Sequence, residues 1–310
     1  MKIRALFLLM LLTPSAWGKP RYDPDYIFKP SNSWTIKTRT DVGRESLQLS
    51  AETGDSRYRL DFEGGTKLRQ RIGFGYGGLI LGFGINLSGR KVGWDTSLKM
   101  LGNQSGLELN LSGLKAAGGS LRVEDAGIAL NAKLPPGSFN QTSLAARGYY
   151  AFNGRKFSMP AVLTQRFRQQ KSAGSALLTT ALSALWLNRK TGDDETLPLS
   201  RQFIGFAGAG LGYGYNWVPG RKWLLHLSAI ENVGIPWERY TLKNTPHKGP
   251  LRGPGFLTTG RAGVFFYPGN WYFGLSAYTE YYIAPDFGSG FNVRTFELQG
   301  QISVGVHFGA

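Results

Sequence analysis

The chain has no cysteine, which excludes disulfides, thiolate nucleophiles, cysteine metal ligands and a lipid-modified N-terminal cysteine. It also lacks a hydrophobic run long enough to cross a bilayer as a helix. Ala5 to Leu12 is too short, and no later stretch reaches about 18 uninterrupted apolar residues. Histidine is scarce: only His226, His247 and His307 occur, and no two share a ligand spacing such as H-x3-H. Neither a metal nor any other cofactor is therefore expected. The glycine-rich stretches 73–84 and 205–214 contain G-x-G patterns, but neither opens a helix or carries a Walker lysine, so no nucleotide cradle is indicated.

What is present begins with Lys2 and Arg4, the apolar run to Leu12, Pro14, and small residues at Ala16 and Gly18. This is the pattern of a secretory signal peptide over residues 1–18, with cleavage after Gly18. Residues 19–310 read as a single domain without a linker. Glycine is abundant at 43 residues, and mean hydropathy is slightly negative at −0.21. That value suits a chain in which every second strand residue faces water.

The clearest pattern is at the C-terminus. Phe296, Leu298, Gly300, Ile302, Val304, Val306 and Phe308 alternate with Glu297, Gln299, Gln301, Ser303, Gly305 and His307. At about 3.3 Å per residue, such a segment exceeds the roughly 9–11 residues that a tilted strand needs to cross an outer membrane. The same alternation marks 256–266 and 271–281, joined by Tyr-Pro-Gly-Asn, and 203–217 and 222–231, joined around Pro219-Gly220. Further strands are predicted at 34–40, 68–76, 79–87, 94–101, 105–112, 120–131, 145–152 and 157–168. Segment 175–187 fits helical spacing too and is assigned to a strand because its neighbours are strands.

Connections at 188–200, 232–255 and 283–293 are long, whereas 218–221 and 267–270 are short. Short periplasmic turns alternating with long external loops is the asymmetry of outer-membrane barrels. Trp34, Trp94, Trp186, Trp217, Trp223 and Trp271 fall near strand ends, where aromatic girdles meet the membrane interfaces. The prediction is an all-β, antiparallel transmembrane barrel of the outer-membrane type, with an even number of strands between about 12 and 16, in a Gram-negative envelope.

Tyr22-Asp23-Pro24-Asp25-Tyr26-Ile27, the hairpin IGFGYGGLILGFGINL at 72–87 and the run GYYAFNGRKFSMPAVLTQRFRQQKSAGSALL at 148–178 resemble the bacterial family catalogued as domain of unknown function 4421. The central run carries the most specific residues: Tyr149-Tyr150, Phe152-Asn153, Phe157-Ser158, Pro160, Gln165 and Ser172 to Ser175. Leu177-Leu178 departs from the aromatic often found after it. The resemblance implies an exported outer-membrane barrel of a kind found mainly among Bacteroidota, and it supplies no activity or catalytic residues.

The formal charge is +16, which favours anionic partners. For an exported chain these are lipopolysaccharide and other outer-membrane lipids or a small anionic solute, not nucleic acid. The terminal strand ending at Phe308 is the expected recognition element for the barrel-assembly machinery. Strand parity directs Lys37, Arg39, Arg69, Arg71, Asp95, Lys99, Glu108, Arg261, Glu280 and Glu297 into the lumen. They either form a salt-bridge network in a plugged bore or bias a narrow pore toward anions. The expectation is therefore a non-enzymatic envelope component or narrow anion-preferring channel. Two alternatives stand beside it. One is surface binding through the long external loops. The other is a lipid esterase or deacylase in which His226 activates Ser228, similar to the His-x-Ser pair of lipid-A-deacylating barrels. Mass spectrometry of the exported protein should find Lys19 as the first residue; retention of residues 1–18 would refute the signal-peptide reading.

Overall fold

The structure is a computed structural model that describes residues 22–30, 34–53, 56–86, 93–125, 128–189, 199–242, 245–248, 253–287 and 291–309. The wall strands are β2 (Trp34–Thr53), β3 (Ser56–Tyr76), β4 (Leu79–Asn86), β5 (Gly93–Leu101), β6 (Ser105–Asp125), β7 (Ile128–Ala151), β9 (Ala173–Arg189), β10 (Leu199–Gly220), β11 (Trp223–Leu242), β13 (Gly255–Phe266), β14 (Trp271–Ala284) and β15 (Phe291–Phe308). Two short strands and one helix accompany them: β1 (Ile27–Phe28), α1 (Pro160–Leu163) and β8 (Arg168–Gln169). A four-residue strand, β12 (Thr245–Lys248), pairs with the end of β11.

The twelve wall strands pair antiparallel in chain order, and β15 closes on β2 from Phe308↔Trp34 to Phe291↔Ala51. Alternation decides which face meets which medium. On β15, Phe296, Leu298 and Ile302 are exposed on the outer surface, while Gln299, Ser303 and His307 are buried inside. Leu275, Leu211, Phe83 and Ile72 continue the outer apolar band around the wall, and Trp34, Trp94, Trp217, Trp223 and Trp271 stand exposed near strand ends. The connections 77–78, 102–104, 221–222 and 267–270, the start of β2 and the end of β15 lie at one end, which the extension of the strands beyond the other end makes the periplasmic end.

At the other end the wall narrows. Above the β4–β5 hairpin, β3 pairs directly with β6 from Phe62↔Gly119 to Arg57↔Glu124, so ten strands enclose the bore there. A register shift between Gly43 and Glu45 lets β3 change phase. In the lower half Lys67, Arg69 and Arg71 line the bore; in the upper half Leu60 and Phe62 turn inward.

Three sequence expectations are corrected. Segment 157–168 is no wall strand, because Pro160 opens α1 and the stretch is packed inside the barrel. Segment 120–131 straddles the end of β6 and the start of β7. The supposed loop 232–255 is largely strand, since β11 continues to Leu242 and β12 folds back on it. The signal peptide and most of 188–200 lie outside the described residues.

Ile302→Arg on the lipid face should destabilise the barrel by about 2–4 kcal/mol, measured by denaturant unfolding in lipid vesicles. Ser50→Arg, on the outward face of the upper extension, should cost almost nothing. An equal penalty at Ser50 would show that lipid reaches that height.

Candidate functional site

Below the narrowed collar, the bore holds a polar cavity of about 210 Å³. All ten charged residues expected in the lumen line it, and Glu45, Lys67 and Arg147 join them. The charges are interleaved. Asp41 sits between Arg39 at 2.9 Å and Arg71 at 3.2 Å, and Arg71 also reaches Asp95 at 2.7 Å. Glu280 takes Arg147 at 2.9 Å and accepts a hydrogen bond from the Tyr278 hydroxyl. Glu45 pairs with Lys67 and accepts from Gln141 at 3.0 Å. Arg69 faces Glu297 at 3.6 Å. Arg147 was legible by parity within 145–152; Asp41, Glu45 and Lys67 fell just beyond the strand bounds that alternation alone supports.

The roof is apolar. Leu47, Leu49, Leu60, Phe62, Phe139, Leu187, Ile204, Phe206, Leu257, Tyr282 and Val293 form one buried cluster. The Phe206 and Tyr282 rings meet edge to face at 5.3 Å, although β11 and β13 stand between their strands in the wall. Side chains therefore pack across the bore, and Phe206, Leu257 and Val293 are almost wholly removed from solvent.

The floor is a plug made by the chain between β7 and β9. Its β8 pairs with β1, so the N-terminal segment is held in the same layer. Val162, Leu163 and Gln165 present the plug to the cavity. Proline at the first helical position is pre-shaped for a helix start, and Ser158 Oγ accepts from the Ala161 amide at 3.3 Å. Gln165 ends the helix in a left-handed conformation with φ of 56°, and its carbonyl accepts from His307 Nε2 at 3.0 Å. Gln169 is a buried hub: its Nε2 donates to the carbonyls of Lys156 and Lys171, and its Oε1 accepts from the Ser158 amide at 2.9 Å and Asn216 Nδ2 at 3.0 Å. The Tyr267 hydroxyl donates to the Ala161 carbonyl, and Arg168 to that of Gly269. Gly214 explains how the plug fits, since a Cβ there would lie 2.9 Å from the Phe157 ring.

His226 and Ser228 are brought together, with Nε2 2.9 Å from Ser228 Oγ. A third partner, missed in the sequence because it lies on β10, is Asn216, whose Oδ1 is 2.7 Å from His226 Nδ1. Asn216 Nδ2 is committed to the Ser158 carbonyl and Gln169, so Oδ1 accepts from Nδ1–H, and Nε2 accepts from the serine hydroxyl. The order of bonds is that of an activated nucleophile. Asn216 is wholly buried, Ser228 is 4% exposed, and neither lines the cavity. A nucleophile needs an oxyanion site and room for a reacting atom; here Asn216 hydrogen-bonds the plug at Ser158 and Gln169, which ties the relay to that segment.

Burial without a counter-charge pulls the plug's Arg166 guanidinium below its ordinary pKa. Its Nε and Nη1 are buried without a partner among the described residues.

Asp41→Asn should cost about 3–5 kcal/mol of unfolding free energy, because two arginines lose a buried counter-charge. Glu297→Gln, at a longer and more solvated pair, should cost about 1 kcal/mol or less. Equal losses in denaturant titrations would contradict the geometry.

The sequence model of a family described as Domain of unknown function (DUF4421) matches residues 21–308. Similar solved structures include the outer-membrane protease OmpT from Escherichia coli, at 8% identity and TM-score 0.38, covering 90% of this chain and 99% of that one. The β domain of the Bordetella autotransporter BrkA matches at 11% identity and TM-score 0.42, covering 86% and 98%. An outer-membrane channel from Pseudomonas putida F1 matches at 12% identity and TM-score 0.37, covering 92% and 99%. No curated protein matches the chain.

Proposed function

The chain belongs to the DUF4421 family, and from its own geometry we propose that this outer-membrane barrel is a normally closed conduit, passing small anionic solutes when its plug withdraws. The carrying observation is the charge of the chamber. Eight basic and five acidic side chains line it, with Asp41 in contact behind them, leaving an excess of two positive charges. Basic rings favour anions in a narrow pore.

Both ends are shut at rest. The roof is a mainly apolar constriction, with the buried Gln202–Glu238 pair beside it, of the kind that gates by excluding water. The floor is held by apolar packing of Phe157, Leu163 and Phe167 and by hydrogen bonds at Gln169, Asn216 and Tyr267, which water can replace at modest net cost. Arg166 works against docking, since an unpaired buried cation is expensive. The plug is thus held firmly enough to close the bore and penalised enough to leave it.

Planar-bilayer recording tests this reading. The natural protein should show rare, brief openings. Gln169→Ala combined with Phe206→Ala should raise conductance at least tenfold with anion preference, and Arg69→Gln with Arg71→Gln should reduce that preference. Arg166→Met should make openings rarer still. Absence of conductance in the loosened variant, or cation preference, would overturn the proposal.

A further inference from the structure

The excess charge in the chamber is localised. Asp41 and Asp95 answer Arg39 and Arg71, Glu45 answers Lys67, Glu297 answers Arg69 and Glu280 answers Arg147. Glu108 is left to serve two cations, Lys99 at 3.3 Å and Arg261 at 3.8 Å. Lys37 has no acidic partner within ion-pair distance among the described residues, yet it is only 9% exposed and lines the cavity. Lys37 and Lys99 are near enough for their charges to oppose one another. Both stand a few residues from the plug end of their strands, so the surplus sits above the floor.

Lys37, Lys99 and Arg261 have one carboxylate, Glu108, among them, and such a surplus of like charge is costly in a partly desolvated site. An anion from solvent removes that cost, and the cavity offers Ser303 and Gln301 as neutral hydrogen-bond partners. We propose that the chamber floor binds one small dianion of the phosphate type between Lys37, Lys99 and Arg261. The inference rests on the solute reading above and names the site within it. The occupant is a free ion and not a lipid headgroup: the wall around the site is paired without a gap on β2, β15, β14 and β13, so no acyl chain can follow a headgroup through it. The cavity of about 210 Å³ also has no room for a polymer or a nucleotide.

The test is calorimetric titration of the full-length exported protein in detergent with inorganic phosphate, at constant ionic strength set by chloride. Saturable binding of one phosphate per chain is expected, with affinity at least tenfold weaker in Lys37→Met. Folding of that variant is checked by its unfolding midpoint in phosphate-free buffer, which should rise because an unpaired charge is removed. A short-chain phospholipid presenting the same headgroup should not compete. Binding that is absent, unchanged in Lys37→Met, or displaced by the lipid overturns the site. Anion-selective conductance without phosphate binding would refute this site and leave the conduit standing; phosphate binding without conductance would do the reverse.

Discussion

Everything in this molecule follows from the requirement that backbone groups in a hydrocarbon layer find their partners within the protein. A sheet meets it only by closing, and the pairing of β15 with β2 is that closure. Once the cylinder is shut, each side chain has one of two destinations, and the choice is made by parity. Ile302 must tolerate lipid because Gln301 and Ser303 are committed to the bore. The closure also creates a difficulty, because a twelve-stranded bore is too wide for its own wall to fill with small side chains.

The chain fills that bore in three layers with different physics. At the outer end, dropping β4 and β5 from the wall brings Phe62, Phe139 and Phe206 into reach of a common core. At the periplasmic end, a piece of chain is inserted, and the glycine face of β10 lets Phe157 approach the wall at Gly214. Between them, long charged side chains span the remaining width. Arginine suits this layer because its fork can bridge two carboxylates, as Arg71 does with Asp41 and Asp95. Such pairs contribute little stability over an apolar filling, but they keep the middle layer wet, which an apolar filling would not.

The strands that cross lipid were legible because one face of each is apolar and the other polar, as Leu275 and Ser276 show on β14. The upper extension was not, because the rule inverts there. Leu47, Leu49, Leu60 and Phe62 point inward while Gln48, Ser50 and Arg59 face water. Alternation persists: its phase reverses on β2, whereas on β3 the apolar parity is unchanged and the register shift between Gly43 and Glu45 turns that face inward, and nothing in the sequence marks the height at which lipid ends. On β11, Pro236 and Glu238 resemble loop chemistry yet are buried, Glu238 accepting from Gln202 at 2.6 Å. Segment 157–168 misled differently: Phe157, Met159, Ala161, Leu163 and Phe167 recur at a spacing close to two, yet both faces are buried because the whole stretch lies inside. Pro160 was the available signal, since proline belongs at a helix start and not in a central strand. The lumen charges could be placed by parity one strand at a time. Which of them meet is decided by closure, and so the isolation of Lys37 and the sharing of Glu108 were invisible until the wall was assembled.

The plug joins these layers, and its contacts explain why the His226 relay lies where it does. A floor secured only by apolar burial would be as permanent as a core, whereas one secured only by hydrogen bonds would exchange with water. Phe157, Leu163 and Phe167 supply the first kind of contact, and Gln169 with Asn216 the second. Asn216 can serve the plug only if its amide is held in one orientation, and His226 holds it by donating to Oδ1. Ser228 in turn fixes the histidine tautomer by donating to Nε2. The same three residue types that elsewhere activate a nucleophile are here closed off by Phe157, whose ring centroid lies 6.4 Å from that of His226. The relay therefore lies where wall and plug meet, because its amide is the group that the plug's Ser158 and Gln169 bind.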